Sequence, residues 1–391
     1  MLVSEASLGA SRIEDHFELA FFTTNFWFMW CTTFAFQPWH SAVEFKRYLL
    51  RFIQEFPRIN TLAGVRRTPY NQYDAIIVPL VAWLKEQGVQ FEMNSQVTNL
   101  RFKPDESAKT AECIYYTKDG KEDEIAIAKD DCVFVTIGSM TAGSSFGSMT
   151  TAPRLETKQA GGSWTLWENI ASSQSEFGNP DVFYDHIDQS KWESFTVTFH
   201  DPTFFRLMEE FTGNKAGTGG LVTFKDSNWL MSVVLPYQPH FVGQPEDVNV
   251  CWGYGLFPDK PGNFVAKKMS ECSGAEILTE LCSHLRFKAE LPLILETSNC
   301  IPCMLPFITS QFLVREKGDR PLVIPKGSTN FAFIGQFCEI PDDTVFTVEY
   351  SVRSAQIAVY SLLKLDKEVS PLYQGQHDVN VLFNSAKTMF R

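Results

Sequence analysis

One pair of cysteines has the spacing that zinc sites and thiol redox sites use. Cys300 and Cys303 enclose Ile301-Pro302, and the chain contains nine cysteines in all. A structural zinc site needs a second such pair, and a thioredoxin-like site needs a strand-helix-strand context, and neither accompanies this pair. An odd number of scattered cysteines without a secretory signal favours reduced thiols. We therefore predict two core thiols, no metal site and a cytoplasmic location.

Two other polar side chains stand where they could do chemistry. Tyr48 lies seven residues after Ser41, which forms with Glu44 the S-x-x-E spacing of a helix capping box. Gln72 lies in a turn-rich segment between two predicted helices. The residue pattern alone favours a core aromatic for Tyr48 and turn chemistry for Gln72, so neither role as a reactive group follows from spacing.

Composition limits the classes of function. The net charge is -12 without a basic run, which argues against nucleic-acid binding because phosphate contacts need clustered Lys and Arg. The 34 Phe and 9 Trp suit either a Phe-rich core or an apolar ligand channel. Residues Leu19–Trp39 carry no charge, but their Thr, Asn, Gln and Pro and the lack of flanking Lys or Arg favour a buried segment over a membrane helix.

The first third of the chain predicts two helices followed by a β-rich unit. The helices are expected over residues 41–56 and about 74–87, with Gly88 as a terminating glycine. Strands are expected over 89–93, 96–103, 113–117, 124–128 and 131–137, with Asp119-Gly120 as a hairpin turn. This order is found in the FAD-binding domain of glutathione-reductase-like flavoproteins.

The rest of the chain predicts an inserted unit and a return to the first domain. Residues 140–180 are rich in Gly, Ser, Thr and Pro, and about 181–325 mix strands with helices, the helices being expected over 204–211 and 274–285. A buried strand over 330–337 and a helix over 351–363 then resume an α/β pattern. We predict an α/β (mixed α+β) chain: a helical segment (1–88), parts of a truncated FAD-binding domain (89–140 and 326–391) and a substrate or cap domain (141–325).

Seven segments in one order resemble the oleate hydratases, also called the myosin-cross-reactive-antigen family. They are TNFWFMWCTTFAFQPWHSAVEFKRYLLRF, TPYNQYDAIIVPLVAWLKEQGVQFE, VFVTIGSMT, GGSWTLWENIA, VTFKDSNWLMS, WGYGLFPDKPGNFVAKKMSECSGAEI and VFTVEYSVRSAQIAVYSLL. The resemblance implies a flavoprotein that binds FAD and hydrates the cis double bond of unsaturated fatty acids such as oleate. The product is a hydroxy fatty acid, formed without net redox change.

The resemblance also implies roles for individual residues. Tyr48, in H-S-A-x-E-x-x-x-Y, corresponds to the proton donor, and Gln72, in Y-N-Q-Y, corresponds to a residue near the double bond. Val234, Pro236 and His240 correspond to a T-x-N-x-x-x-H pattern that holds the fatty-acid carboxylate. Only the His is retained, and Val and Pro side chains donate no hydrogen bond. Either another group anchors the head, such as Tyr237 or Gln238, or the head group differs.

The flavin contacts implied by the resemblance come from three segments. They are Val97 on the adenine side, Gly138 and Ser139 at a strand end, and Gly335, Asp343, Thr347 and Ser351 near the C-terminus. A helix starting near Ser351 would aim its positive end at the flavin.

The family's Gly-rich phosphate-binding turn and its G-G-R-E loop, whose Glu activates water, have no counterpart in the sequence. The family's C-terminal helical extension, linked with membrane-surface contact, also has none. We therefore expect FAD to bind weakly or not at all, because the pyrophosphate loses its helix N-terminus. Alternatives are a non-catalytic paralogue that binds fatty acids or dimerises, and an FAD-dependent oxidoreductase. The family further implies a homodimer and peripheral membrane contact.

Overall fold

The computed structural model describes residues 3–59, 61, 63–64, 66–104, 108–156, 162–172 and 174–389. Within these ranges the α-helices are α1 (Glu5–Leu8), α2 (Asn25–Phe34), α3 (Ala42–Arg51), α4 (Val78–Glu86), α5 (Gly162–Ala171), α6 (Asp181–Tyr184), α7 (Ile187–Ser190), α8 (Thr203–Thr212), α9 (Gly274–Leu285), α10 (Leu291–Glu296), α11 (Val348–Leu362) and α12 (Val379–Met389). The strands are β1 (Ser95–Phe102), β2 (Ala111–Lys118), β3 (Lys121–Ala126), β4 (Val133–Thr136), β5 (Ser145–Phe146), β6 (Trp192–Phe199), β7 (Val222–Thr223), β8 (Met231–Val234), β9 (Asn249–Gly255), β10 (Ser298–Leu305) and β11 (Phe331–Ile334). The prediction of a mixed α/β chain is confirmed.

The strands form three sheets. Strands β1, β2 and β3 make an antiparallel meander, whose β2–β3 turn is Asp119-Gly120 with positive φ at both residues (49° and 78°). This is the predicted hairpin, because Asp-Gly suits a turn that needs two left-handed residues. Six antiparallel strands form the largest sheet, in the order β5-β10-β6-β9-β8-β7. Strands β4 and β11 pair in parallel; in the sequence, β4 precedes all six strands of the largest sheet and β11 follows them.

Two hydrophobic cores support these sheets. One lies under the six-stranded sheet, where α8 and α9 cover side chains such as Phe195 and Val197 of β6. The other gathers most of the aromatic rings around α2, α3, α5 and β11, with Trp30, Trp164 and Trp167 almost completely buried. Many of the chain's aromatic side chains therefore form hydrophobic core. This is the first of the two predictions made from composition, a Phe-rich core or an apolar ligand channel.

One predicted strand is absent. Residues 89–93 are not part of any sheet among the described residues, although Val89, Phe91 and Met93 alternate as a strand would. These three side chains are 44%, 40% and 73% exposed, and no residue of the preceding helical stretch 73–86 is buried. The alternation is present, but no described strand pairs with this segment. The prediction of a strand here is wrong for this structure.

Two further predictions concern membranes and metals. In the part of the chain that the structure describes, no helix is long and apolar enough to cross a membrane. Residues Leu19–Trp39 instead form a short 3-10 turn and α2, and Leu19 itself is exposed. Cys300 and Cys303 lie on β10 as free thiols, and the described residues contain no group of three or more His, Cys, Asp or Glu able to hold a metal. The assignment of β4 and β11 to a glutathione-reductase-like FAD-binding domain, and the domain limits, stay predictions.

Candidate active site

Tyr48 lies on α3 and its side chain is completely buried. Its hydroxyl donates a hydrogen bond to the main-chain oxygen of Val345. The rings of Phe34, Phe36 and Phe312 surround it at centroid distances of 5.1, 5.0 and 5.5 Å. Burial raises the pKa of the Tyr48 hydroxyl well above its usual range. The phenol therefore keeps its proton at neutral pH inside an apolar enclosure.

The helix that carries this tyrosine begins differently from the predicted capping box. Ser41 does cap α3, because its side chain accepts a hydrogen bond from the Glu44 amide. The Glu44 carboxylate, however, accepts hydrogen bonds from Arg315 (3.0 and 3.2 Å) and Arg320 (2.9 Å) instead of the Ser41 amide. The predicted reciprocal bond is therefore wrong, since two buried arginines hold the carboxylate.

The loop that accepts the tyrosine's hydrogen bond is fixed by one amide side chain. Gln336 accepts a hydrogen bond from the amide of Phe346, a bulky residue with a φ of 75°. It also donates to the Thr347 main-chain oxygen (2.9 Å) and to Ser351 Oγ (2.7 Å). Sequence reasoning did not select Gln336. The signal that could have found it is its position directly after the glycine that ends β11.

The helix after this loop starts earlier than predicted. It begins at Val348, and Thr347 is its N-cap, accepting a hydrogen bond from the Tyr350 amide at 3.2 Å. Ser351 lies in the first turn and does not start the helix, so the predicted start at Ser351 is wrong by three residues. The reason is local: a Thr side chain satisfies a free amide of the first turn, which makes Thr347 the better cap.

The two parallel strands end side by side in glycines. Gly138 follows β4 with a φ of 63°, and Gly335 follows β11 with a φ of 99°. A Cβ on Gly138 would lie 2.7 Å from the Phe337 ring, so packing as well as backbone conformation requires glycine there. Ser139 follows directly. Because α11 also begins at this edge, the carboxyl ends of the strands and a helix N-terminus converge, which is where open α/β sheets bind ligands.

Asp343 connects this edge to the helix of Tyr48. Its carboxylate pairs with Arg353 (3.0 Å) and accepts from the Thr344 amide (2.8 Å), while its main-chain oxygen lies 3.5 Å from a guanidinium nitrogen of Arg47. The Thr344 hydroxyl is buried and has no hydrogen-bond partner among the described residues. Tyr48 thus lies next to the residues predicted as the C-terminal flavin contacts, and their role stays a prediction.

A cleft lies beside this edge. It has a volume of about 510 Å³ and is lined by residues of β1, β4 and the start of α5, among them Val97, Thr136 and Ser163. The Gly138 amide donates to the Ser163 main-chain oxygen at 3.3 Å, so the cleft adjoins the carboxyl edge of the parallel strands. None of the described residues that line it is Lys or Arg.

Gln72 and His240 come together on the outside of the molecule. Gln72 is exposed, and the amide of its neighbour Asn71 donates to the His240 main-chain oxygen at 2.8 Å. Burial lowers the pKa of His240, so the ring is neutral at neutral pH and can donate a hydrogen bond but carries no charge. Val234 ends β8, and Pro236 follows it two residues later.

Gln238, one of the two alternatives for the head-group anchor, is already bonded within the fold. The Gln238 side chain donates to the main-chain oxygens of Pro236 (3.0 Å) and Val250 (2.9 Å), and its oxygen accepts from the Val250 amide (3.1 Å). Its amide is therefore occupied within the fold. Tyr237 is 56% exposed and remains the other named alternative.

Comparisons with known proteins agree with the resemblance. The sequence profile of the MCRA family matches residues 1–360. The chain is 40% identical, over 395 aligned positions, to an oleate hydratase of Streptococcus pyogenes serotype M49 (strain NZ131), covering 98% of this chain and 67% of that protein. It is 35% identical, over 396 positions, to a linoleate hydratase of Lactiplantibacillus plantarum, covering 94% of this chain and 68% of that protein. On these matches, the chain belongs to the MCRA family.

Proposed function

We propose that this chain provides the fatty-acid site and the proton donor of an FAD-dependent hydratase. The reaction adds water across the cis double bond of an unsaturated fatty acid such as oleate or linoleate. Its main support is the hydrogen bond from Tyr48 to the Val345 main-chain oxygen, which joins the tyrosine to the loop before α11 in a chain whose relatives are named hydratases.

The reaction requires a proton donor and an apolar enclosure around the carbocation. The Tyr48 hydroxyl turns from Val345 towards the alkene and gives its proton to one carbon, which leaves a carbocation on the other. A water molecule adds to that carbon, and the proton it loses restores the phenol. The rings of Phe34, Phe36 and Phe312 keep other nucleophiles away while the cation exists.

The site's lining suits part of FAD. Main-chain edges and apolar side chains of the 510 Å³ cleft fit a flat ring, and Val97 lies among them. The unpartnered Thr344 hydroxyl offers a further polar contact at the carboxyl edge. Since none of the described residues that line the cleft is Lys or Arg, main-chain amides or residues outside this lining would have to bind the pyrophosphate. When bound, FAD would organise the site and would not transfer electrons, because hydration involves no net redox change.

A direct assay tests the proposal. Purified protein is mixed with FAD and oleate or linoleate, and hydroxy acid is measured by mass spectrometry. Because FAD binding is expected to be weak, FAD is supplied in large excess; product is then expected from the native chain, with a loss of about 10²- to 10⁴-fold in Tyr48→Phe, as for removal of a general acid. Tyr116→Phe, in the meander, serves as a matched control with unchanged activity. Full activity in Tyr48→Phe would refute the role of the tyrosine.

A second candidate is a fatty-acid-binding paralogue without turnover, alone or as a dimer. It is favoured by Val234 and Pro236, which replace hydrogen-bonding residues of the family pattern. Tight binding of oleate with no product, in the presence of FAD, would select this candidate over the hydratase. Peroxide release with an added amine would instead select an oxidoreductase.

A further inference from the structure

Two side chains next to Gln72 hold the loop that carries His240. Asn71 donates to the His240 main-chain oxygen from its amide (2.8 Å) and from its side chain (3.1 Å). The Asp74 carboxylate accepts a hydrogen bond from the Val242 amide at 3.0 Å. The turn at the start of a helix needs only local hydrogen bonds. The bonds from Asn71 and to Asp74 instead join a loop that lies more than 160 residues away in sequence.

The same two side chains also hold each other. The Asn71 side-chain oxygen accepts from the Asp74 amide (3.0 Å), and its nitrogen donates to the Asp74 carboxylate (2.7 Å). Every polar atom of the Asn71 side chain is thereby used, and the pair acts as one unit, named here the Asn71–Asp74 clamp.

The loop is fixed from its other side as well. Gln244 accepts hydrogen bonds from the amides of His240 (2.8 Å) and Phe241 (3.1 Å) and donates to Gln238 (2.9 Å). Gln238 in turn bonds to Val250 of β9. The loop is therefore anchored to the six-stranded sheet on one side and to the clamp on the other.

A second attachment of this segment lies four residues before Asn71. Arg67 donates to the main-chain oxygens of Gly217 and Gly219 (the latter at 2.8 Å), which lie just before β7. The segment 67–74 is thus attached to two loops at the same end of the sheet. None of residues 67–74 is buried, so hydrogen bonds and not buried apolar contacts hold the segment against the loop of His240.

We propose that Asn71 and Asp74 are positioning residues that fix Gln72 relative to His240 and so select which double bond is hydrated. This inference rests on the proposed function and on the roles that the family resemblance implies, Gln72 near the double bond and His240 near the carboxylate. If one rigid unit holds both Gln72 and His240, the distance between these two residues fixes which carbon of the bound acyl chain receives the proton. A loosened clamp lets the acyl chain slide.

The test compares three variants of the intact protein. Asp74→Ala removes the carboxylate oxygen that accepts from both Asn71 and Val242. Asp74→Asn keeps an acceptor for the Val242 amide, and Asp247→Ala removes an exposed acid of the same loop as a matched control. Hydrogen exchange at Val242 should be roughly five- to tenfold faster in Asp74→Ala, the equivalent of one lost hydrogen bond. It should stay near native in the other two.

Linoleate, which offers two double bonds, reports the role in selection. With FAD present, the ratio of the two regioisomeric products should change by roughly five- to tenfold in Asp74→Ala and recover in Asp74→Asn. Native product ratios in Asp74→Ala, with native-like activity, would overturn the clamp and leave the hydratase assignment standing. No product from the native chain would overturn both. Unchanged exchange at Val242 in Asp74→Ala would overturn the clamp by itself.

Discussion

The carboxylate of Glu44 offers the sharpest test of how α3 is held in place. It is fully buried and bonds to Arg315 and Arg320, both almost completely buried. Burial acts to raise the pKa of Glu44, but the charges of Arg320 and then Arg315 outweigh it and lower the pKa to about 2. Relative to the usual 4.5, this difference corresponds to about 3 kcal/mol of folding free energy at neutral pH.

Glu44→Gln should therefore lower the free energy of unfolding at pH 7 by about 3 kcal/mol, because it removes one of the two carboxylates, Glu44 and Glu339, that pair with Arg315 and Arg320. The pKa is depressed in the folded state, so this stability exists above pH 4.5 and is lost as the pH falls towards 2. The difference between native protein and variant should shrink to roughly half by pH 3.

Urea unfolding followed by circular dichroism at pH 7 and pH 3 measures both quantities. Glu14→Gln, which removes one partner of the exposed pair Arg12–Glu14, is the control and should change little at either pH. Equal stability of Glu44→Gln and native protein at pH 7 would refute the reasoning. So would a difference that stays constant between the two pH values, since the ionisation of Glu44 is then not its cause.

Two other buried carboxyl groups lead to opposite expectations. Neither carboxyl oxygen of Glu193 on β6 has a hydrogen-bond partner among the described residues, and burial, with a smaller effect of Asp259, raises its pKa. In thermal unfolding, Glu193→Met should therefore stabilise the fold more at pH 8 than at pH 5. The reason is that a raised pKa costs about 1.4 kcal/mol of stability for each pH unit between the unfolded-state and folded-state pKa. A variant less stable than the native protein at both pH values would contradict this. Glu280 accepts hydrogen bonds of 2.6, 2.9 and 2.7 Å from the amides of residues 263–265. Glu280→Gln should make these amides exchange at least tenfold faster, whereas exposed Glu271→Gln should not; unchanged exchange would show that the carboxylate does not hold the loop.

Local patterns predicted the elements whose causes are local. The Asp119-Gly120 hairpin formed as expected, since two adjacent residues supply both left-handed conformations. Helix α9 has the predicted bounds, Gly274–Leu285, because a true capping box of Ser273 and Glu276 starts it. By contrast, residues 89–93 alternate correctly yet form no strand, since a strand also needs a partner that the pattern does not specify.

The candidate site was predicted residue by residue but not as an arrangement. Tyr48 and Gln72 came from family motifs, and nothing in their spacing indicated that Tyr48 would bond to Val345, 297 residues away. The ion pairs of Glu44 lie 271 and 276 residues away, so a local capping pattern predicted the wrong partner for its carboxylate. Contacts of this separation are set by tertiary packing, which no short window of sequence contains.

The parallel pairing of β4 with β11 has a consequence for the order of folding. Phe331 pairs with Val133, so nearly two hundred residues, including the whole six-stranded sheet, lie in the loop that this pair closes. Closing a flexible loop of that length costs about 5 kcal/mol in chain entropy, which is as much as about four ladder hydrogen bonds return at about 1 kcal/mol each. If the six-stranded sheet forms first, its compact body shortens the loop and lowers that cost. Strands β4 and β11 should therefore meet late on the folding pathway, and the carboxyl edge that gathers the candidate site should be among the last parts of the molecule to form.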